Sequence, residues 1–121
     1  MNIATWIVSG VLAAMYLMAG VLKTLRPKDA LLTMLPWTED YSARTIKLIG
    51  ISELLGAVGL IVPWATGIAP WLTPVAATGL VIIQALAIRA HIRRGEQNVL
   101  AFNIALLVAA AFVAVVRVMG L

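Results

Sequence analysis

The sequence predicts an all-α integral membrane protein: one domain over residues 1–121, built as a bundle of four transmembrane helices with a short cytoplasmic interfacial helix between the first and the second. Apolar residues make up 63% of the chain. Charged residues make up only 12%, about half the fraction typical of a soluble domain, and they cluster between long apolar runs. These runs are long enough to cross the hydrocarbon core, which takes about 17–25 helical residues.

Four apolar runs are the predicted membrane spans, and we place them near residues 3–22, 46–64, 71–90 and 99–118. Because the hydrocarbon core offers no water to exposed backbone groups, each run is expected to be helical. The first run is a retained span rather than a signal peptide, since the positive charges follow it instead of preceding it.

The basic residues predict the orientation of the bundle. Eight of the nine lie in the connections 23–47 and 89–98, and the ninth is Arg117. The positive-inside rule therefore places both connections in the cytoplasm and both termini outside a multi-pass cell-membrane protein. Three of the four tryptophans then fall at the outer interface, namely Trp6, Trp64 and Trp71.

The connection between the first two spans is expected to contain the short interfacial helix. Pro27 suits the first position of a helix, Pro36 would end that helix, and Trp37 would anchor it at the membrane surface. Thr38 is the expected N-cap of the second long helix, which would then start near Glu39. An irregular loop is the alternative.

Polar residues on all four spans are expected to meet in the cytoplasmic half of the bundle. Glu53 lies seven residues into its span, about 10 Å deep at 1.5 Å per residue, where an ionised carboxylate costs at least ~2.5 kcal/mol. Small residues share its helical face, so the carboxylate is expected to point inward and to have a polar partner. Polar residues on the other helices repeat at seven-residue spacing, which forms stripes. The candidate ligand-binding residues are therefore Tyr16, Lys23, Glu53, Gln84, His91 and Asn103.

The candidates other than Tyr16 also have a structural interpretation, and for His91 it is that of an interfacial residue beside a basic loop. Lys23 would snorkel to lipid headgroups, Gln84 and Asn103 would be interhelical hydrogen-bond partners, and Glu53 would form an ion pair that only holds the bundle together. No metal site is predicted, because His91 has no second histidine or cysteine as a co-ligand. The absence of cysteine excludes disulfides and iron–sulfur clusters, and the basic charge indicates membrane topology rather than nucleic-acid binding.

Four segments, in order along nearly the whole chain, carry a family resemblance: GVLK at 20–23, ELLGAVGLIVP at 53–63, TPVAATG at 73–79, and AHIRRGE at 90–96 with Asn103 beyond it. With these segments the chain resembles the DoxX-like membrane proteins. The resemblance implies a four-helix bundle with a polar pocket near Glu53, Lys23 and His91. The namesake of the family is a membrane subunit associated with a thiosulfate:quinone oxidoreductase. Relatives are linked to quinone or oxidative-stress responses, and a distant animal branch assists receptor assembly.

The leading functional hypothesis is a small membrane subunit that binds an amphipathic molecule, such as a quinone, in the polar pocket and associates with a redox complex. A quinone needs an apolar slot and groups that donate hydrogen bonds or protons to its carbonyls, as Tyr16, Glu53, Gln84 and His91 do. No side chain carries electrons, so a redox centre would be bound or would belong to a partner. The alternatives are a non-catalytic assembly subunit and a small-solute transporter, which would need a homo-oligomer. No catalytic residue is assigned, and no cofactor other than a bound quinone is expected.

Overall fold

The computed structural model describes residues 2–120, apart from the side chains at positions 2 and 33. Its α-helices are α1 (Asn2–Leu25), α2 (Lys28–Met34), α3 (Ala43–Thr66), α4 (Leu72–Arg93) and α5 (Leu100–Val118). Two short 3₁₀ helices, Pro36–Asp40 and Gln97–Val99, lie in the connections. The four long helices α1, α3, α4 and α5 are long and apolar enough to cross a membrane, which confirms the predicted fold class.

The long helices extend beyond most of the predicted spans. Helix α1 continues to Leu25 and α3 begins at Ala43, so each helix is a few residues longer than its apolar run. The connections join the helices at two ends of the bundle. We call the end that contains residues 26–42 and 94–99 the basic end, and the end that contains residues 67–71 the turn end.

The predicted cap of the second long helix is wrong. Ser42, not Thr38, is the N-cap, and its Oγ accepts a hydrogen bond from the Thr45 amide at 3.1 Å. Thr38 instead lies in the 3₁₀ helix that follows Pro36, where its hydroxyl donates to the Leu35 carbonyl at 2.7 Å. The 3₁₀ helix therefore uses the hydroxyl that the sequence pattern assigned to α3.

The short helix α2 is present between the first two spans, as predicted. Pro27 precedes it as the N-cap residue with extended backbone angles, φ −67° and ψ 154°, rather than occupying its first turn. Among the described side chains of this helix, Leu31 is the buried one, with 1% of its surface exposed. Burial of this leucine attaches α2 to the bundle.

Contacts between the long helices give the cyclic order α1, α3, α4, α5. Helix α1 packs most extensively on α3, and α4 on α5, whereas the seam between α1 and α5 is the least extensive of the four. The apolar core lies between the helices and contains Leu12, Tyr16, Ala57, Leu60, Ala77, Leu80, Ala110 and Val113. Many other long apolar side chains are exposed on the outside of the bundle, as expected of helices surrounded by lipid.

Two glycines allow α1 and α3 to approach closely. A Cβ atom added to Gly20 would lie 2.7 Å from the Gly50 carbonyl oxygen, and one added to Gly50 would lie 2.8 Å from the Lys23 Cβ. Only small residues permit this separation of helix backbones. The close approach places Lys23 beside the face of α3 that carries Glu53, one turn beyond Gly50.

Candidate functional site

The structure brings four of the six candidate residues together as two buried side-chain pairs. Lys23 pairs with Glu53, and Tyr16 pairs with Gln84. The other two candidates have partners at the basic end, where His91 contacts Glu96 and Asn103 contacts Val99.

The Lys23–Glu53 pair joins α1 to α3 inside the bundle. Lys23 Nζ donates to Glu53 Oε1 at 2.6 Å, and the two residues are 9% and 2% exposed. The Trp37 ring also lies against the ammonium group, with 5.4 Å between Nζ and the ring centroid. The structure thus confirms that Glu53 points inward and has a partner. Lys23 does not snorkel, because the close approach of α1 and α3 directs it onto Glu53.

The Tyr16–Gln84 pair joins α1 to α4 across the core. Gln84 Nε2 donates to the Tyr16 hydroxyl oxygen at 2.7 Å, and the residues are 5% and 2% exposed. Among the described residues, Gln84 Oε1 has no hydrogen-bond partner. A buried acceptor without a partner costs about 1–3 kcal/mol. The pair therefore retains an unused acceptor, and the Tyr16 hydroxyl hydrogen is not used in this bond.

His91 takes part in a charged network with Glu96, Arg94 and Asp40. Its Nδ1 lies 2.8 Å from Glu96 Oε1, while Arg94 bonds Glu96 Oε2 at 3.3 Å and Asp40 Oδ2 at 2.9 Å. Gly95, with φ +72°, turns the chain after α4 so that Glu96 folds back onto His91. The hydrogen bond with His91, and after it the bonds and charge of Arg94, hold the pKa of Glu96 below its ordinary value. The network connects the two basic-end connections.

Asn103 is 7% exposed, and its Nδ2 donates to the Val99 carbonyl at 3.2 Å. This hydrogen bond lies at the start of α5 and does not reach another long helix. Asn103 is therefore not joined to Glu53, and its observed role is local. Within the described part of the chain, no group of three His, Cys, Asp or Glu residues is placed to hold a metal ion.

Arg117 is a buried charged residue that sequence reasoning missed. It is 2% exposed, and its guanidinium carbon lies 4.9 Å from the Trp6 ring centroid and 4.4 Å from that of Trp64. It therefore connects α5 to α1 and α3 at the turn end. The sequence contains one signal that could have identified it: Arg117 is the lone basic residue at the end of the bundle where Trp6 and Trp64 also lie. Trp71, which is 62% exposed, has the position expected of an interfacial tryptophan.

An apolar groove of about 530 Å³ runs along the seam between α1 and α5. Val8 lines it on α1, and Ala105, Val108, Ala109 and Phe112 line it on α5. The alanines leave space because their side chains are short. The groove opens to the surroundings of the bundle.

Comparison of the chain with curated proteins and with solved structures found no match in either set. The model of the DoxX-like family, in contrast, matches residues 7–113. This range includes the Lys23–Glu53 and Tyr16–Gln84 pairs, His91 with its network partner Glu96, and Asn103, whereas Trp6 and Arg117 lie just outside it. The chain belongs to the DoxX-like family and is a multi-pass membrane protein of that family.

Proposed function

We propose that this protein binds a quinone, or an amphipathic molecule of similar chemistry, taken from the bilayer. The polar head of the ligand meets the Tyr16–Gln84 pair and its apolar tail lies in the groove between α1 and α5. The protein performs this role as a subunit of a membrane redox complex, with the basic end in the cytoplasm as the charge bias favours.

The unpartnered Gln84 Oε1 is the observation that carries this proposal. The Tyr16 hydroxyl accepts one hydrogen bond and keeps a hydrogen to donate, so the pair presents one donor and one acceptor. A quinone carbonyl accepts a hydrogen bond, and the hydroxyl of the reduced quinol donates one. The pair is therefore complementary to both oxidation states.

The depth of the groove also fits the proposal. The contact between Trp6 and Arg117 sets the register of α1 against α5. From that contact, Tyr16 lies ten residues along α1 and Ala105 lies twelve residues along α5, or about 15 Å and 18 Å. Tyr16 therefore lies near the depth of Ala105, the lining residue farthest from Arg117, although the α1 residue that lines the groove is Val8. For the polar head of the ligand to reach Tyr16, the partly buried side chains along the seam between α1 and α5 must move aside.

The Lys23–Glu53 pair lies two turns beyond Tyr16, toward the basic end. A carboxylate there is suited to exchange protons with a reduced ligand. Electrons must come from a partner protein, because the chain contains no electron-carrying side chain.

The proposal is tested by purifying the protein in nanodiscs formed from native membrane and measuring extracted quinones by mass spectrometry. Tyr16→Phe and Gln84→Leu each remove one hydrogen bond to the head, which is worth about 1 kcal/mol or about a fivefold loss of affinity. Tyr41→Phe and Gln97→Leu are the matched controls in the connections and should retain quinone as the wild type does. Equal retention in all four variants contradicts the proposed site.

The alternative is a non-catalytic assembly subunit, and the mutual satisfaction of Lys23 and Glu53 favours it. An ion pair that is complete without a ligand fixes the register of α1 against α3 and needs no other role. A stoichiometric protein partner in the same nanodisc preparation, with no quinone extracted, supports this alternative over quinone binding.

A further inference from the structure

A narrow depression of about 10 Å³ lies at the basic end, where the end of α1 and the starts of α2 and α3 meet. Its charged lining consists of Lys23, Arg26, Lys28 and Lys47. Leu31 and Ile46, each 1% exposed, form its apolar floor. The space at the floor is about that of one water molecule or one phosphate oxygen.

The charges around the depression are unbalanced. Lys23 is neutralised by Glu53. Within residues 2–120, however, Arg26, Lys28 and Lys47 have no carboxylate within ion-pair distance, and no acidic residue lines the depression. Three cations around one opening repel each other, so an anion bound between them is stabilised.

The depression also lies at the level of the lipid headgroups. The apolar run of α1 ends at Leu22 and that of α3 begins at Ile46, so the lining residues are at the boundary between the hydrocarbon core and the headgroups. Leu25 and Leu48, which adjoin Arg26 and Lys47 in sequence, are 75% and 56% exposed. They offer apolar surface to acyl chains beside the opening.

We propose that this depression is a binding site for the phosphate of an anionic phospholipid headgroup. One phosphate oxygen enters the depression while Arg26, Lys28 and Lys47 surround the rest of the headgroup, and the acyl chains lie against the exposed leucines. Basic pockets between transmembrane helices bind anionic headgroups by this combination of charge and apolar contact. The site is independent of the proposed quinone site.

Native mass spectrometry of the full chain, with phosphatidylglycerol and phosphatidylcholine supplied in equal amounts, tests the proposal. The variant Arg26→Gln/Lys28→Gln/Lys47→Gln removes three charges from the site. The variant Arg44→Gln/Arg89→Gln/Arg93→Gln removes three exposed charges that do not line it. We expect wild type and control to retain phosphatidylglycerol preferentially, and the site variant to lose at least about tenfold of this preference.

Equal losses in the two triple variants would show that attraction is spread over the basic end and would overturn the proposal. Binding of inorganic phosphate in competition with phosphatidylglycerol would assign the site to a free anion and overturn the lipid assignment. Should the triple site variant not fold, the exposed pair Arg26→Gln/Lys47→Gln replaces it, with Arg44→Gln/Arg93→Gln as its control. We again expect the wild type and the control variant to retain phosphatidylglycerol preferentially and the site variant to lose this preference.

Discussion

Replacing Lys23 and Glu53 singly and together tests how this buried ion pair contributes to the bundle. Glu53→Leu leaves a buried ammonium group without its carboxylate, and Lys23→Met leaves a buried carboxylate without its cation. The double variant Lys23→Met/Glu53→Leu removes both charges and keeps approximately the same volume. The prediction is that each single variant is much less stable than the wild type, whereas the double variant is close to it.

The magnitude follows from the geometry. Nζ and Oε1 are 2.6 Å apart, so the charge centres are separated by roughly 4 Å, and their attraction at an effective dielectric constant near 20 is about 4 kcal/mol. Desolvation costs several kcal/mol per ion, which offsets this attraction for the intact pair. A single ion left behind keeps the desolvation cost alone. We therefore expect each single replacement to lower the free energy of unfolding by about 3 kcal/mol, and the double replacement to change it by less than ~1 kcal/mol.

The assay is reversible unfolding in mixed micelles with increasing sodium dodecyl sulfate, followed by tryptophan fluorescence. The exposed Arg44→Met is the control for loss of a charge at the basic end, with an expected change within ~0.5 kcal/mol. The reasoning is refuted if the effects of the two single replacements add up in the double variant, because additivity means that the two charges do not interact.

Three further outcomes are expected from other parts of the bundle. Gly50→Val should lower the free energy of unfolding by about 1–3 kcal/mol through overpacking. Gly79→Val is the control and should leave the free energy of unfolding nearly unchanged, because a Cβ at Gly79 meets no atom within 4 Å. Equal effects of the two replacements in the same unfolding assay would contradict the close approach of α1 and α3. Arg117→Met should lower it by about 2 kcal/mol or more through loss of two desolvated cation–π contacts and should shift the tryptophan emission spectrum; an unchanged spectrum would contradict the stacking. The hydrogen bond with His91 lowers the pKa of Glu96 in the folded protein. The ionised Glu96 therefore contributes its full stabilisation above the ordinary pKa of 4.5, and this contribution is lost as the pH falls through the lower pKa of the folded state. Thermal melts from pH 6 to pH 3 should therefore show a smaller acid-dependent loss of stability in Glu96→Gln than in the wild type.

The four spans were predictable from the sequence because a lipid-embedded backbone allows few alternatives to a helix. The ends of the helices were not, since apolar residues mark the part of a helix that contacts lipid and say nothing of its caps. Thr38 illustrates the difference: a hydroxyl followed by acidic residues is a sound cap pattern, yet a proline two positions earlier started a 3₁₀ helix that used the same hydroxyl.

The inward direction of Glu53 and its pairing were predictable because a buried carboxylate without a partner is too costly. The depth of a residue along its helix, however, does not identify its neighbours on other helices. Gln84 lies near the depth of Tyr16 and bonds to it, whereas His91 folds onto Glu96 through the turn at Gly95. Seven-residue stripes thus give positions along the bundle but not positions around it. Whether the candidate residues bind a ligand stays a prediction.

The position of Lys23 and Glu53 on α1 and α3 has a consequence for the synthesis of the protein. Both charges belong to the first half of the chain, and the two helices that carry them have the most extensive contact in the bundle. The ion pair can therefore form as soon as α1 and α3 are both in the membrane, because neither α4 nor α5 contributes a charge to it. We therefore expect the second half of the chain to dock onto a helical hairpin in which the two buried charges of α1 and α3, Lys23 and Glu53, are already paired.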